Sequence, residues 1–568
     1  MKTPILGGAY VARSVNAAAN RMVNLFPEVV PEGGKEPAFL QRCPGLRLVA
    51  TVGEGPIRGM WKFGDFLYVA SGGKLYRVDG NFAATELGLI NGSGPVSMAD
   101  NGIQLFVACN PSAFIYNANT SVFAQITDPD FPGAVSVGYL DSYFVFNEPN
   151  SQRVWVTSLL DGTAIDPLDF ASAEGNPDNI VSLMVDHREV WLFGNNTVEV
   201  WYNAGLADFP LARIEGAFME TGCLAPYSVA KLDNAVFWLG SDARGNGIVY
   251  RNQGYNAQRV STHAVEWQIQ QYGVLNDAIG YSYQQDGHSF YVLTFPTAQA
   301  TWVFDVSTGA WHERAAWDGV QFRRHRSNCQ ANYAGQVLVG DWESGNVYAL
   351  DMNFFRDFSE EQRWLRSWRA LPTGQNNLKR TAHHMLQLDI ESGTSFEFQN
   401  VVNWSQVAEK VLAASVNFEP FKTTWNKEFG GRKLGDVTNN GVIQASDSLQ
   451  FQNYGLGVLT NQTYIDYIEN VVQTILLSDP LTYSIYLTSA NTNTPANVML
   501  RWSDDGGHTW SNEHWASMGK LGEYGKRVIW RRLGMTTKLR DRVYEISGSD
   551  PVKIAIMGAE LSATPTSA

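Results

Sequence analysis

The hydrophobic and polar positions of this chain follow one repeated pattern between about Gly55 and Asp351. Roughly every 40 to 50 residues, a Gly, Pro or Asn turn precedes a short apolar stretch, a polar turn and stretches rich in aromatic and β-branched residues. Two of the copies read GPIRGMWKFGDFLYVASGGKLYRVD and NIVSLMVDHREVWLFGNNTVEVWY. A repeat of this period is typical of β-propeller blades, in which each small sheet buries its apolar face against the next.

The number of copies predicts the number of blades. The pattern recurs about seven times, so residues 55–351 are predicted to form a propeller of about seven blades. Six blades with one irregular connection stay open as an alternative, because the spacing widens after residue 180. Residues 1–54 precede the repeats and predict an N-terminal extended arm, with bends at Pro27, Pro31 and Pro44. Such an arm packs on its own propeller or on a neighbouring subunit.

The pattern changes after residue 351. Two-residue alternation returns in TAHHMLQLDIESGTSFEFQ and in the stretch that ends VKIAIMGAELS, so residues 352–399 and 495–568 are predicted to form a C-terminal β-sandwich-like domain. Residues 400–494 contain VAEKVLAAS and TYIDYIENVVQTILL, whose apolar spacing is helical, and are predicted to be a small helical insertion in that domain. The predicted fold class is all-β, a propeller and a sandwich interrupted by an EF-hand- or dockerin-like insertion.

Length and composition limit the architectures and locations that the chain can have. A chain of 568 residues has room for one large propeller and added modules. The cysteines are far apart and form no CxxC pair, which indicates buried reduced thiols; they are Cys43, Cys109, Cys223 and Cys329. No apolar run approaches the roughly 18 residues of a membrane span, and the N-terminus lacks the apolar core of a secretory signal. We therefore expect the chain to fold in a cytoplasm.

The net charge and the spacing of the arginines each indicate which contacts the chain can make. The net charge of −14 argues against a general nucleic-acid coat, although it allows a surface past which DNA slides. Arg363, Arg366 and Arg369 recur at three-residue spacing in DFSEEQRWLRSWRALP, which predicts a helix with these side chains on one solvated or interface face, or on a phosphate-binding stripe.

Two further basic runs stand apart from this helix. They contain Arg323, Arg324, His325 and Arg326, and then Lys526, Arg527, Arg531, Arg532, Lys538, Arg540 and Arg542. Each is interpreted as a solvated face, or as a docking face for an acidic protein ring or, as a weaker alternative, for DNA.

The sharpest local motif is GDVTNNGVIQASD at residues 435–447. Oxygen donors alternate along it as in a calcium-binding loop, in which hard oxygen ligands wrap the ion and Gly441 permits the bend. The candidate ligands, which include the backbone carbonyl of Val442, are Asp436, Thr438, Asn440, Val442, Gln444 and Asp447. The stretch resembles a dockerin-type calcium loop and departs from it at Thr438, where Asp or Asn is usual. A structural calcium ion, or a loop of the same shape without an ion, are the two interpretations.

A second motif, SDDGGHTW at residues 503–510, fits the S-x-D-x-G-x-T-W pattern of the Asp-box hairpin found in sialidases and related propellers. Its Asp is expected to cap backbone amides of the turn, while Gly takes a positive φ. Even in those enzymes the box is structural. The chain carries no HExxH, GxSxG, GxxxxGK[ST] or GxGxxG motif in a strand-to-helix context, so we expect no enzymatic activity.

Five stretches of the chain carry a resemblance to a known family. They are VNLFPEVVPEG with FLQRCPGL, then ASGGKLYRV, LFGNNTVEVWYNAG, LDIESGTS, and finally RWSDDGGHTW with YGKRVIWRRLGMTTKLRDRVYEIS. Together they resemble, in the family's order, the packaged-DNA-stabilising tail hub or nozzle proteins of short-tailed bacteriophages.

The resemblance implies a structural virion protein of the phage tail, assembled in the host cytoplasm. It implies a ring of six copies below the portal and adaptor rings. Such a ring extends the DNA channel, retains packaged double-stranded DNA without binding it specifically, and carries a tail needle, tailspike or fibre. The insertion at 400–494 departs from the simplest family members and suggests an added contact. The alternative function is a propeller that binds or cleaves host glycans.

Overall fold

The computed structural model describes residues 1–13, 18–30, 34, 36–173, 175, 178–206, 208–242, 245–371, 380–392, 399–402, 419, 422–423, 426, 428–429, 432–433, 435–469, 487–490, 496–519, 523, 526–537 and 542–566. The chain divides into two compact units. The first comprises residues 1–395 and 495–568, and the second comprises residues 396–494. No described helix is long and apolar enough to cross a membrane.

Six strands precede the repeats. They are β1 (Tyr10–Val11), β2 (Ala19–Asn20), β3 (Met22–Val23), β4 (Leu25–Val29), β5 (Ala38–Arg42) and β6 (Gly45–Thr51). Strands β1 and β2 pair with each other, whereas β3 to β6 join three different sheets formed by later parts of the chain. The predicted arm is therefore built into the fold by the backbone hydrogen bonds of strands β3 to β6.

The first four blades are four-stranded antiparallel sheets. Blade 1 contains β7 (Ile57–Phe63), β8 (Phe66–Ser71), β9 (Lys74–Val78) and β10 (Ala84–Leu89). Blade 2 contains β11 (Ser97–Asp100), β12 (Gln104–Cys109), β13 (Ser112–Asn117) and β14 (Val122–Gln125). Blade 3 contains β15 (Val137–Leu140), β16 (Tyr143–Asn147), β17 (Arg153–Val156) and β18 (Phe170–Ser172). Blade 4 contains β19 (Ile180–Asp186), β20 (Glu189–Gly194), β21 (Val198–Asn203) and β22 (Leu211–Met219).

The last three blades have additions to this plan. Blade 5 contains β23 (Gly222–Cys223), β24 (Ala230–Leu232), β25 (Ala235–Asp242), β26 (Gly245–Gln253) and β27 (Asn256–Arg259). A 3-10 helix (Pro226–Ser228) precedes β24, and helix α1 (His263–Gln270) follows β27. Blade 6 contains β28 (Ile279–Gln285), β29 (His288–Phe295), β30 (Ala300–Asp305) and β31 (Ala310–Glu313). Strands β32 (Ala315–Trp317) and β33 (Phe322–Arg324) form a separate hairpin. Blade 7 contains β34 (Ser327–Tyr333), β35 (Gln336–Asp341) and β36 (Asn346–Asp351).

The N-terminal strand β6 supplies the outer strand of blade 7 and so closes the ring. Hydrogen bonds between neighbouring blades complete the circle. The Val96 amide donates to the carbonyl of Arg58 across blades 1 and 2, and the Asn328 side chain donates to the carbonyl of Ile57 across blades 7 and 1, at 2.9 Å. The propeller therefore has seven blades, and the six-bladed alternative is wrong.

Two short strands, β37 (Arg356–Asp357) and β38 (Glu360–Glu361), extend the sheet of blade 7 beyond β6. The remaining C-terminal strands lie in two other sheets. They are β39 (Trp364–Arg369), β40 (Thr381–Ser392), β45 (Ala496–Ser503), β46 (His514–Gly519), β47 (Val528–Met535), β48 (Val543–Gly548) and β49 (Ile554–Pro565). One sheet continues blade 6 outward in the order β31-β3-β39-β48-β45-β46. The other has the order β4-β5-β49-β40-β47. Their facing side chains share one core, which includes Trp364, Trp368 and Leu386. This is the predicted β-sandwich.

The helix predicted around Arg363 is wrong, because Trp364–Arg369 form strand β39 in the middle of a sheet. The sequence WLRSW is buried on both faces, so its two-residue alternation is hidden and the arginine spacing looks helical. Arg366 is fully buried and its Nε donates to the carbonyl of Ile5 at 2.7 Å.

The second unit is described in part. It contains β41 (Gln399–Val402), β42 (Glu428–Phe429), β43 (Arg432–Lys433), helix α2 (Ala445–Gly455) and β44 (Leu487–Ala490). Residues 462–469 are also helical. The helix predicted for VAEKVLAAS lies outside the described residues.

Candidate functional site

The axis of the propeller holds a cavity of about 570 Å³. Its wall comes from the inner strands of all seven blades. Among the described residues that line it, Arg58 and Asp100 are the charged ones. The Arg58 guanidinium is buried and donates to the carbonyls of Gly72, Asn91 and Gly94. Asp100 accepts the indole N–H of Trp61 at 2.8 Å. Both charged groups are hydrogen-bonded to other residues of the propeller. Cleavage of a glycoside requires a pair of carboxylates that face open space, and these lining residues do not form such a pair.

The predicted calcium loop leads into the first turn of helix α2, which contains Asp447. The carboxylates of Asp436 and Asp447 are fully buried. Asp436 accepts the amides of Asn440 and Gly441 at 3.1 and 2.9 Å. Asp447 accepts the amide and hydroxyl of Thr438 on one oxygen and the amide of Gln444 on the other. The loop is therefore organised around two carboxylates, and Gly441 takes φ 84° as the bend requires.

The remaining oxygen donors of this loop are less enclosed. Asn440, Val442 and Gln444 are exposed, and the side-chain oxygen of Asn440 accepts the amide of Val442 at 3.0 Å. In the described part of the chain, no three His, Cys, Asp or Glu side chains lie close enough together to hold a metal ion. A cation in this loop would thus have two carboxylates and otherwise neutral oxygens as ligands, which suits Ca²⁺ chemically and predicts modest affinity.

The Asp-box forms the predicted hairpin. Asp505 accepts the amides of His508 and Thr509, both at 2.9 Å, and the hydroxyls of Ser503 and Thr509. These hydrogen bonds, that from Ser503 foremost, hold the pKa of Asp505 well below its ordinary value. Gly506 has φ 80°. The motif is a structural turn of the sandwich in this chain, as the sequence predicts.

The basic run at 323–326 is largely buried. Arg324 lies over the Trp342 ring at 4.4 Å, and burial lowers its pKa to about 10. Burial lowers the pKa of His325 to about 3, so this imidazole is neutral. Arg326 pairs with Asp341 at 2.8 Å. Arg323 alone is exposed, and it pairs with Asp318. The expectation of a docking face in this run is wrong, because three of its four side chains pack inside the molecule.

The second basic run divides in two. Arg542 is buried and paired with Asp504, whereas Arg527, Arg531 and Arg532 are exposed on or beside β47. None of these three forms an ion pair with a described residue. Lys538 and Arg540 lie outside the described residues. We call Trp515, Lys526, Arg527, Arg531 and Arg532 the basic edge. Trp515 belongs to β46 and is 62% exposed.

A segment rich in acidic residues was missed by the sequence interpretation. Between Arg77 and Arg188 the chain contains thirteen acidic residues and, besides a histidine, a single basic one, Arg153. This segment includes blades 2 and 3. Some of its carboxylates are buried or paired, as Asp186 is, whereas Asp130 and Asp166 are exposed. A count of charge along the chain, in addition to the total, would have found this segment.

The cysteine prediction is confirmed. All four are free thiols, and three of them are buried. Burial raises the pKa of Cys43 and Cys109 to about 11 and that of Cys223 and Cys329 to about 12, so each is a protonated, unreactive thiol at neutral pH.

Comparison with known proteins agrees with this architecture. The family described as the β-propeller of bacteriophage P22 Gp10 matches residues 1–354, and the β-sandwich of the same protein matches residues 481–564. The tail hub protein gp10 of Salmonella phage P22 is 22% identical over 331 residues, which cover 53% of this chain and 65% of that protein. The match thus spans less than two-thirds of the length of this relative.

Solved structures with similar backbones are more distant. The computationally designed protein Ika8 is 12% identical, with a TM-score of 0.35, and the alignment covers 54% of this chain and 99% of Ika8. The β-propeller domain of Cps50 (Swd1) from Myceliophteria thermophila is 8% identical, with a TM-score of 0.36, over 54% of this chain and 98% of that domain. Because the family matches cover both the propeller and the sandwich, this chain belongs to the bacteriophage P22 Gp10 family of phage tail hub proteins.

Proposed function

We propose that this chain is a structural protein of a phage tail that assembles with further copies of itself into a ring, of which six copies is the expected number. The ring extends the DNA channel below the portal and adaptor, retains packaged DNA, and carries the tail tip or its appendages during ejection. The observation that carries this proposal is that both the propeller and the sandwich match domains of one protein, bacteriophage P22 Gp10.

The connection between propeller and sandwich supports a mechanical role. Strand β3 lies between β31 of blade 6 and β39 of the sandwich, so one nine-stranded sheet runs from the propeller axis into the sandwich. The N-terminal strands β4 and β5 add to the other sheet, and β6 closes blade 7. A load on the sandwich is therefore borne by backbone hydrogen bonds of strands that lie far apart in sequence.

Electrostatics also supports a channel component. A chain of net charge −14 repels a polyanion, so DNA that passes a ring of such chains stays mobile. The charged groups that line the axial cavity are held by scaffold hydrogen bonds, which favours a protein without enzymatic activity over a glycan-cleaving propeller.

We propose further that the loop at 436–447 holds a calcium ion that stabilises the second unit. Its support is the pair of buried carboxylates, Asp436 and Asp447, that lie at the two ends of one short loop. Desolvated carboxylates are costly unless backbone amides or a cation compensate them. Calcium would add oxygen coordination by Thr438, Asn440, Gln444 and the carbonyl of Val442 to what the amides provide.

The main proposal is tested by electron microscopy of the purified chain, alone and mixed with its portal–adaptor complex. The expected result is a ring with a central channel that stacks on the adaptor. Particles that remain single propellers and never dock would contradict it. Incubation with host-surface polysaccharide, followed by measurement of reducing ends, tests the alternative function directly, and we expect no product.

A further inference from the structure

Several carboxylates of blades 2 and 3 lie in two loops that contact each other. One loop follows β14 and the other lies between β17 and β18. The amide of Ile165 donates to Asp128 at 3.2 Å, which joins the loops, and the amide of Gly162 donates to Gln104 at 2.7 Å, which fixes them on blade 2. We call Asp128, Asp130, Asp166 and Asp169, with the apolar residues Ile103, Leu159, Leu160 and Leu168, the acidic platform.

The platform combines charge with exposed apolar area. Leu168 is 77% exposed, Leu159 60% and Leu160 56%. Burial, and then the neighbouring Asp166, raise the pKa of Asp169. Asp130 is exposed and its carboxylate accepts no hydrogen bond from a described residue. Leucines that are open to solvent beside unpaired carboxylates are typical of a contact surface for a basic, partly apolar partner.

The basic edge has the complementary chemistry. Strand β46 pairs only with β45, and β47 only with β40, among the described residues, so each is a free sheet edge. The indole of Trp530 donates to the carbonyl of His514 at 2.9 Å and holds the two edges side by side. A bulge at Arg532, which has φ 58°, places Arg531 and Arg532 both on the outside. Exposed Trp and Arg side chains are the residues most often enriched in protein interfaces.

The two surfaces belong to different parts of the first unit. In a ring of seven blades, blades 2 and 3 are each three positions from blade 6. The sheet of blade 6 continues into the sandwich, and β46 lies five strands beyond β31, which is about 24 Å along the sheet at about 4.8 Å per strand. Leu168 of the platform and Arg531 of the edge are both exposed in the single chain, so the two surfaces are open to contact another copy.

We propose that the acidic platform of one copy binds the basic edge of the next, which makes a head-to-tail contact between identical chains. A contact between two different surfaces of the same molecule generates a ring when its rotation closes, whereas a self-complementary contact gives only dimers. Charge complementarity fixes the register and speeds association. This inference rests on the proposed function, since it names the contact that would build the proposed ring.

The test uses two variants of the full chain. Arg527→Glu with Arg531→Glu reverses the basic edge, and it leaves Arg532 unchanged because of its left-handed backbone. Asp130→Lys with Asp169→Lys reverses the platform at two carboxylates that accept no hydrogen bond from described residues. Sedimentation velocity should show each variant as a monomer, with association weakened about 100-fold or more, because like charges then face each other.

Two mixtures distinguish this contact from a general effect of charge. In an equimolar mixture of the variants, the intact platform of one faces the intact edge of the other, and the two reversed surfaces are again complementary. The mixture should therefore assemble with the two variants in alternation, although each variant alone stays a monomer. A chain with all four substitutions has the parent's net charge and two reversed, again complementary, surfaces, so it should assemble. Lys62→Glu with Lys553→Glu changes the charge by as much as the first variant does, at exposed sites elsewhere, and should assemble like the parent.

Each result has a distinct meaning. Single-sided variants that assemble as the parent does would overturn this contact and leave the proposed ring standing. A parent chain that neither associates nor docks on the portal–adaptor complex would overturn the proposed function, and the contact with it. A platform variant that still forms rings but no longer docks would assign the platform to the adaptor and overturn the inference. Matching melting temperatures and circular dichroism of all variants show that the folds are intact.

Discussion

Arg542 and Asp504 form a bidentate ion pair, with guanidinium-to-carboxylate distances of 2.6 and 2.8 Å, that ties the Asp-box hairpin to strand β47. The same guanidinium donates to the carbonyls of Leu533 and Met535 and stacks over Trp502 at 5.3 Å. Arg542 is 2% exposed. A residue that the sequence places in a basic run is thus a structural centre of the sandwich.

Replacement of Arg542 should therefore be strongly destabilising. Arg542→Ala leaves a carboxylate and two carbonyls without their donor, and we expect the free energy of unfolding to fall by about 3–5 kcal/mol. Arg531→Ala, on the exposed face of the same segment, should change it by less than about 0.5 kcal/mol. Urea denaturation of the two variants measures both values, and equal losses would contradict the structural role.

Gly222 allows blades 4 and 5 to approach each other closely. A Cβ at this position would lie 1.8 Å from the carbonyl oxygen of Asn195. Gly222→Ala should thus force a backbone shift between the blades and cost about 3 kcal/mol. Gly80→Ala, where a Cβ has nothing within 4 Å, is the matched control. Differential scanning calorimetry should show a lower melting temperature for the first variant only.

The N-terminal segment is held by Arg366. Its guanidinium donates to the carbonyls of Ile5 and Gly8 at 2.7 and 3.4 Å. Arg366→Met keeps most of the side-chain volume and removes these charged hydrogen bonds, at a cost of about 2 kcal/mol. Hydrogen exchange of the first 11 residues should become faster. Arg527→Met should leave it unchanged, and unaltered exchange in the Arg366 variant would show that the segment is held by other contacts.

Asp357 makes stability depend on pH. It is fully buried, and burial raises its pKa to about 7 against the nearby Gln362, Arg42, Arg326 and Arg314, which lower it. The folded chain then keeps a proton that the unfolded chain releases near pH 4, so this group's contribution to stability falls as pH rises from about 4 to about 7. Asp357→Asn has no titratable carboxyl at this position, so it lacks this pH-dependent contribution to stability. The variant should therefore gain in stability relative to the parent across that range, as measured by melting at each pH, and a constant difference would contradict the shift.

The calcium proposal needs a substitution that preserves the loop. Asp436→Ala would also remove the acceptor of the Asn440 and Gly441 amides, and so would destabilise the loop without any ion. Asp436→Asn keeps one side-chain oxygen as an acceptor and removes the charge. We expect calcium to raise the melting temperature of the parent, and to raise that of this variant much less. Identical melting temperatures of the parent in calcium and in chelator would contradict the calcium proposal.

The propeller and the sandwich could be predicted from sequence because their signals are local. Two-residue alternation and turn residues such as Asn101-Gly102 and Asp286-Gly287 reflect backbone preferences that do not depend on distant parts of the chain. The hydrogen-bonding pattern of the Asp-box and the fold of the 436–447 loop were predictable for the same reason, since short-range geometry determines both.

Burial of charge was not predictable in this way. Arg324, Arg366 and Arg542 look like surface residues in the sequence, yet each is buried, because carbonyls, aromatic rings and carboxylates from distant strands surround them. The WLRSW stretch was misread as helical since strands buried on both faces lose their alternation.

The sequence by itself determined the fold class, the repeat and the two local motifs, and through its resemblance it indicated the family. Only the tertiary structure decided which N-terminal strands complete which sheets and which basic residues are exposed. The physical reason is that these properties depend on contacts between residues hundreds of positions apart, such as β6 with β36 and β3 with β39, whose pairing leaves no local pattern in the chain.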